Sequence, residues 1–340
     1  MLEGRMAFLI TIKDISNACG LSVATVSRAL NNQNEVNPKT AERVREIARQ
    51  MGYYPNAAAR ALKTNRSYNI GVLYENLMDH EYFSLVIDKI RHTAETKGYD
   101  ITFLSNAIGN SQLNYYEHAK YRGLDGIIIL QGDFSAAQIR QLALSEFPCV
   151  SLDHKYDSCD CVSSDNREGI AQIVRKAYEA GHRRIAFIHG EVGSVTNARI
   201  DGFRKECESL GIDIPAEYIQ SGCYHEPDSS RVITKKLMSL PVPPTCILFP
   251  DDYASFGGLN ELEKMGYRVP EDISIIGYDG IRLAEKLRPH LTTYRQDYEK
   301  IGELAVMLLT DAIENPLHKP QTVTVTGSFL EGATLSAIAR

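Results

Sequence analysis

Two sets of residues in this 340-residue chain have types and spacings that could do chemistry. The first is crowded into one short segment. Ser22, Val23, Ala24, Thr25, Ser27, Arg28 and Asn31 are small, hydroxylic, amide or cationic, a mixture that suits close approach to a DNA groove. Arg28 could donate two parallel hydrogen bonds to a guanine edge, with Val23 and Ala24 beside it against base edges. Ser22, Thr25, Ser27 and Asn31 suit phosphate contacts, which position a protein on the duplex without reading sequence. The second set is dispersed. Glu75, Asn76, Gln131, Asp133, Asp153, Asp251, Asp252 and Asp279 each follow an apolar run. In open α/β sheets, ligands bind beyond the carboxyl ends of the strands, where such residues would stand. Several acids converging with aromatic side chains would suit the hydroxyls and faces of a sugar ring. Taken singly, each of these acids also reads as a helix N-cap or a solvated loop residue.

Enzymatic chemistry is poorly represented. Catalysis at these carboxylates wants an acid–base pair, or a nucleophile beside a base. No G-x-S-x-G, Walker A or H-E-x-x-H pattern occurs, and the nine histidines are scattered. Gly190-Glu191-Val192-Gly193 is only a weak echo of a phosphate-binding loop.

The groove-facing set needs a frame, and the surrounding residues supply one. Thr11 with Asp14 three residues on has capping-box spacing. Ile12, Ile15 and Ala18 recur at helical spacing and predict one small buried face. Gly20 can take the left-handed conformation of a tight turn. Ser22 then caps a second helix whose Val26 and Leu30 share a face. Asn37-Pro38 reads as an N-cap followed by an N1 proline, opening a third helix to about Met51 that buries Val44, Ile47 and Ala48. This is a helix-turn-helix, with the second helix presented to the DNA major groove. An ordinary αα-hairpin inside a larger core is the competing reading. Tyr53-Tyr54-Pro55 reads as an extended linker, and Asn56 caps a short alanine-rich stretch, Ala57–Lys63. So short a helix is marginal alone.

Charge is divided along the chain. The first 66 residues carry ten Lys/Arg against five Asp/Glu, a net of +5, which leaves −11 for the remainder of a chain whose total is −6. A basic head on an acidic body favours phosphate contacts by the head, while the body is repelled from nonspecific DNA. Seven cysteines, an odd number without paired metal spacing, predict no disulfide framework. They read as small apolar residues of a reducing cytosol. Neither a metal nor another cofactor is expected. Residues 1–10 are too short and too charged for a signal peptide or membrane span, and Met6 is a second candidate start. The expected location is cytoplasmic.

From Ser67 the pattern becomes βαβ. Apolar runs at Tyr68–Tyr74, Ile101–Leu104, Gly126–Leu130, Cys149–Leu152, Ile185–His189, Cys246–Phe249 and Ile273–Tyr278 read as buried strands. Amphipathic stretches such as Tyr82–Lys97, Arg167–Ala180, Ala198–Leu210 and Tyr253–Met265 lie between them. Regular alternation predicts doubly wound parallel sheets, and so many strands suit two sheets better than one. Later strands at Thr292–Arg295 and Thr322–Thr326 imply that the chain crosses back between lobes. The expected fold is an N-terminal all-α helix-turn-helix headpiece (8–54), a hinge (55–66) and an α/β core (67–340). Its first lobe is drawn at about 67–155 and 293–325, its second at about 156–292 and 326–340.

T-I-K-D-I, G-L-S, A-T-V-S-R-A-L-N and G-Y-Y-P-N-A-A-A-R-A-L resemble the headpiece of the lactose/galactose repressor (LacI/GalR) family, nearly gaplessly from Thr11 to Lys63. The rest of the chain resembles that family too. The resemblance implies a core like a periplasmic sugar-binding protein, with two lobes around a cleft. It implies that Ala57–Lys63 is a hinge helix ordered on DNA. Asn56, Ala59, Leu62 and Lys63 would then join the DNA contacts, with Leu62 as a wedge between base steps in the minor groove. It implies that Arg199, within A-R-I-D-G-F, enters the cleft, and that Asp153, Asp251, Asp279, Gln296 and Tyr298 lie in cleft-lining turns. Tyr82, Phe83 and Tyr224 occupy places where the family stacks aromatic rings on its effector. Two positions depart: Leu130 replaces a polar contact of lactose-type members, and the usual arginine near the last strand is absent around Gly332. No particular member's ligand is therefore carried over.

These observations together predict a homodimeric transcriptional regulator, a repressor that binds a pseudo-palindromic operator, with a small effector between the lobes. A sugar is the expected effector and a nucleobase or nucleoside the alternative; a sugar-binding or sugar-modifying α/β protein is the competing reading of the whole chain. Truncating Arg199 to alanine is expected to abolish the effector response and leave operator binding nearly intact; truncating Leu62 is expected to do the reverse.

Overall fold

The computed structural model describes residues 10–30, 35–54, 61, 64–75, 79–108 and 111–338. The chain divides into two compact units, Met1–Tyr68 and Asn69–Arg340.

In the first unit, α1 (Ile12–Cys19), α2 (Val23–Leu30) and α3 (Pro38–Gln50) pack around Ile15, Cys19, Val26, Ala29, Val44 and Ala48. Local chemistry sets the boundaries. The Thr11 amide and hydroxyl both donate to the Asp14 carboxylate, at 2.8 and 2.7 Å. Gly20 ends α1 with φ +66°, a region where other residues are strained. Asn37 Oδ1 accepts from the Lys39 amide at 2.9 Å and so caps α3. One expected core residue is displaced: Ala18 is exposed, and Ser16 and Cys19 are buried with Ile15. Ile15 and Cys19 are four apart and stack on one stripe, which leaves Ala18 on the rim. The hinge residues Pro55–Arg60, Leu62 and Lys63, and Asn31 after α2, lie outside the described residues.

The second unit carries two six-stranded sheets. The first comprises β1 (Asn69–Tyr74), β2 (Asp100–Phe103), β5 (Gly126–Gln131), β6 (Cys149–Leu152), β7 (Asp160–Ser164) and β13 (Thr322–Val325), in the order β13-β7-β6-β5-β1-β2. A two-stranded ribbon of β3 (Ala107–Ile108) and β4 (Ser111–Gln112) stands apart. The second sheet comprises β8 (Ile185–His189), β9 (Ile219–Ser221), β10 (Cys246–Leu248), β11 (Ser274–Asp279), β12 (Thr292–Arg295) and β14 (Ser328–Leu330), in the order β14-β12-β11-β10-β8-β9. Neighbours are parallel except β12 and β14. Nearly continuous Ile/Val/Leu runs such as Gly126–Leu130 follow from burial on both faces.

Helices α4 (Glu81–Thr96), α5 (Tyr115–Arg122), α6 (Ala137–Ala143) and α11 (Tyr298–Glu314) belong to the first lobe. The second holds α7 (Asn166–Glu179), α8 (Ser194–Ser209), α9 (Pro227–Met238) and α10 (Asp252–Lys264). Helix α11 packs on α4 and on β5–β7, while α7 pairs with α8 and α9 with α10.

The chain passes between lobes three times: after β7, after β12, and between β13 and β14. Two of the expected boundaries move. The first crossing, drawn near residue 155, falls after Ser164, because β7 pairs in the first sheet between β6 and β13. The return, drawn near 292, falls after Arg295, because β12 pairs with β11. Strand β7 reads as a linker in sequence because Asp160-Cys161-Val162-Ser163-Ser164 is short and mostly polar. The third boundary, near 325, coincides with sheet membership.

Candidate functional site

On α2 the side chains divide cleanly. Val26 and Ala29 face the headpiece core, while Val23, Ala24 and Arg28 are exposed and Thr25 and Ser27 are half-buried. The Ser22 hydroxyl accepts from the Thr25 amide at 3.1 Å and shares a 2.8 Å hydrogen bond with the Thr25 hydroxyl. Part of its bonding capacity thus goes to starting the helix. Arg28 Nε lies 3.3 Å from Glu35 Oε2, both side chains being mostly solvated. Exposed pairs of this kind contribute little, so Glu35 holds Arg28 only weakly.

In the second unit a cleft of about 680 Å³ opens between the lobes at the carboxyl ends of the strands. The first lobe contributes Glu75 after β1, Tyr82 and Phe83 from α4, Gln131 closing β5 and Asp133 after it, and Asp153 and His154 after β6. The second contributes the turn from Glu191 to Ser194, Thr196 and Arg199 on α8, Tyr224 and His225 after β9, and Asp279 closing β11. Gln296, at the second crossing, lines it as well.

Seven of the nine effector-site residues named from sequence therefore converge: Tyr82, Phe83, Asp153, Arg199, Tyr224, Asp279 and Gln296. Two do not line the cleft. Asp251 is buried behind it, accepting from the Ala254 amide at 2.7 Å to cap α10 and from the His225 amide at 2.8 Å. Tyr298 borders a smaller pocket beside Arg295, Asp297 and Gly327 at the lobe crossing.

Arg199 is the one guanidinium among the described cleft-lining residues and is itself buried. Its Nε donates to Asn166 Oδ1 at 2.8 Å and its Nη1 to the Pro250 carbonyl at 2.7 Å. The guanidinium carbon lies over the Tyr278 ring, 3.5 Å from its centroid. Burial disfavours its charge, but the surrounding tyrosines and the Asp279 and Asp153 carboxylates outweigh that and hold it protonated. Burial pushes Asp279 up to about 7 against the pull of Arg199. Asp153 is raised by burial as well, although the Ser164 amide donates to it at 2.9 Å. His80 occupies the N-cap position of α4 without a side-chain capping bond, its ring centroid 5.6 Å from that of Phe83; burial and the neighbouring His225 lower it to about 4. Burial also works against protonated His225, but Asp251 outweighs it and raises that group.

The backbone marks the same place. Five non-glycine residues have positive φ among the described residues, and Asp153, His225 and Asp279 are three of them. Such conformations cost energy and persist where the surroundings over-determine them, as in ligand clamps.

Sequence reasoning passed over several lining residues. Phe134 stacks on His154 at 4.8 Å with 12° between planes. Thr196 shares a 2.8 Å hydrogen bond with the Tyr224 hydroxyl, and Glu191 accepts from the Tyr224 amide at 2.9 Å. Position just after β5, β6 and β8 was the signal that could have found them. The Gly190–Gly193 turn has a packing explanation: a Cβ on Gly190 would stand 2.1 Å from the Tyr224 ring.

The comparisons with known proteins agree on kinship. Residues 11–56 match the family described as bacterial regulatory proteins, lacI family, and residues 174–335 match a periplasmic binding protein-like domain. The chain is 32% identical over 330 residues to the HTH-type transcriptional repressor PurR of Escherichia coli, covering 95% of this chain and 96% of that one. Shigella boydii has a PurR with the same identity and coverage. Among solved structures, a lac repressor dimer bound to operator and the anti-inducer ONPF superposes with a TM-score of 0.81 at 24% identity, covering 96% and 99% of the two chains. A CelR–cellobiose complex gives a TM-score of 0.71 at 22% identity, with the same coverage. A regulator from Enterococcus faecium with bound ribose gives 0.69 at 25% identity, covering 80% of this chain and all of the other.

Proposed function

The chain belongs to the lacI family of bacterial transcriptional regulators, and from that premise we propose that it is an operator-binding repressor controlled by a neutral sugar held between its lobes. No helix among the described residues is long and apolar enough to cross a membrane.

The effector reading rests on the charge and surface of the cleft. Glu75, Asp133 and Glu191 line it, with Asp153 and Asp279 whose charge burial disfavours, against Arg199 as the only permanent cation among the described lining residues. That balance repels phosphorylated or carboxylated ligands. Carboxylates accept hydrogen bonds from hydroxyl groups, and a polyol supplies many. The aromatic surface includes two ring pairs from the first lobe, Tyr82 with Phe83 and Phe134 with His154, beside Tyr224 and His225 from the second. Each can carry the apolar face of a pyranose or furanose ring. A second reading, a nucleobase or nucleoside, draws on the Arg199 guanidinium and the Gln296 amide beside Tyr82 and Phe83. An aromatic base would lie on those rings and pair its edge with these polar groups.

On the DNA side, Val23, Ala24 and Arg28 are assigned to base edges and Ser22, Thr25, Ser27 and Asn31 to phosphates. The hinge residues Asn56, Ala59, Leu62 and Lys63 are assigned to the minor groove by family resemblance. One headpiece offers too little surface for a specific site, so the functional unit is a twofold dimer on a pseudo-palindrome.

Calorimetry of the full chain against neutral sugars, sugar phosphates and nucleosides, with and without operator DNA, tests the effector reading. Saturable heat with a neutral sugar alone is expected. Binding of a nucleoside alone would replace the sugar by the second reading, and preference for a sugar phosphate would refute the charge argument.

A further inference from the structure

The contact between His80 and His225 is chemically unusual. His80 stands at the N-terminus of α4 in the first lobe, and His225 and Asp279 come from the second. The two imidazole rings lie with centroids 3.5 Å apart and 41° between planes. His80 is 6% exposed, and neither of its ring nitrogens has a hydrogen-bond partner. Its Nε2 is 3.8 Å from Asp279 Oδ2. One donor atom from each of His80, His225 and Asp279 lies within 4.8 Å of the other two. Buried ring nitrogens are ordinarily satisfied, so a pair left open beside a carboxylate points to something that binds them.

Two imidazoles and one carboxylate make a borderline donor set. It suits zinc, cobalt or nickel rather than magnesium or calcium, which take mainly oxygen ligands. A carboxylate behind a ligating histidine orients its ring, and His225 has one within reach: its Nδ1 makes no hydrogen bond in this structure and stands 3.5 Å from the buried Asp251 carboxylate. Asp251, which resemblance places in the cleft wall, would thereby act on the site through His225.

We propose that His80, His225 and Asp279 form a site for one divalent transition-metal ion of the zinc type. Three protein ligands leave a position for water or an effector hydroxyl, because His225 and Asp279 also line the cleft. Since His80 belongs to one lobe and the other two ligands to the opposite lobe, the ion would tie the lobes together.

The test uses the untagged full chain, stripped with chelator and titrated with Co²⁺ as an optical probe and Zn²⁺ by calorimetry. One ion per chain is expected, with the visible absorption of four-coordinate cobalt, bleached by zinc. His80→Gln and His225→Gln should each weaken binding by at least roughly 10-fold. In chelator they should keep the parent's circular dichroism and melting transition. His92→Gln, at an exposed histidine outside the cluster, should leave binding unchanged. If His80→Gln does not fold, Asp279→Asn takes its place beside His225→Gln. Absence of saturable binding by the folded parent overturns the proposal. So does full retention of affinity by either folded cluster variant.

Discussion

Truncating Arg199 to alanine separates two roles that coincide in one side chain. In sequence, Arg199 reads as a hand reaching for ligand, and its loss as harmless to everything else. The geometry gives it structural work as well. It joins the start of α7 through Asn166, the end of β10 through Pro250, and β11 through the face of Tyr278. A hydrogen bond to a charged group contributes about 1.5–3 kcal/mol. A desolvated cation–π contact adds about 2 kcal/mol. Two such bonds and one such contact bound the loss at roughly 5–8 kcal/mol. Relief comes from Asp279, already pushed up to about 7, which can take a proton once Arg199 no longer opposes it. The net expectation is therefore a loss of about 3–5 kcal/mol, the range for breaking a buried ionic arrangement from one side. At about 2–4 °C per kcal/mol for a domain of this size, the core transition should fall by roughly 6–20 °C. Thermal and urea unfolding of the full chain, followed by far-UV circular dichroism, measure it. A loss below about 1 kcal/mol would refute the bracing role and restore the simpler expectation that Arg199→Ala leaves operator binding intact.

Three further outcomes follow from single residues. Gly190→Ala places a methyl 2.1 Å from the Tyr224 ring, so that ring must swing from the cleft wall; effector affinity measured by calorimetry should fall about 10-fold or more while the melting transition moves little. His318 lies between Asp160 and Asp311, with its ring nitrogens 2.7 and 2.6 Å from their carboxylates; burial opposes its charge, but the two acids outweigh burial and raise its pKa. The stability it adds is full below the ordinary imidazole pKa and is lost as pH rises through the raised value, so unfolding scans across pH should show a decline that His318→Gln lacks. Arg28→Ala should cost about 1–3 kcal/mol of operator binding and relax preference at one base pair per half-site; an unchanged preference in a selection assay would remove Arg28 from base readout.

Much of the architecture is legible in the sequence because its determinants are local. Capping at Thr11 and Asn37, the turn at Gly20, and the apolar runs of β1, β5, β8 and β11 are each specified within a few residues. What escapes is non-local. Strand β7 is short and mostly polar and becomes a strand because β6 and β13 flank it. The cleft was legible in outline, since acids after parallel strands must gather at one edge. Its interior division of labour was not. Nothing adjacent to Asp251 says that His225 stands between it and the cavity, and nothing adjacent to His80 says that its partner is 145 positions away at His225. Gly190 and Gly193 suggested phosphate chemistry in sequence, whereas Gly190 makes room for Tyr224.

The claim that a ligand in the cleft controls DNA binding has a direct measurement in thermodynamic reciprocity. Operator affinity is measured with and without saturating effector, and effector affinity with and without saturating operator, at one salt concentration. A ligand shifts the equilibrium only by its differential affinity for the two arrangements of the lobes, typically about 1–3 kcal/mol, or roughly 5–150-fold. The same factor is expected from both directions, as is its disappearance in a folded Phe83→Ala variant that still binds operator. A bound effector that leaves operator affinity unchanged, or a factor that survives intact in that variant, would contradict it.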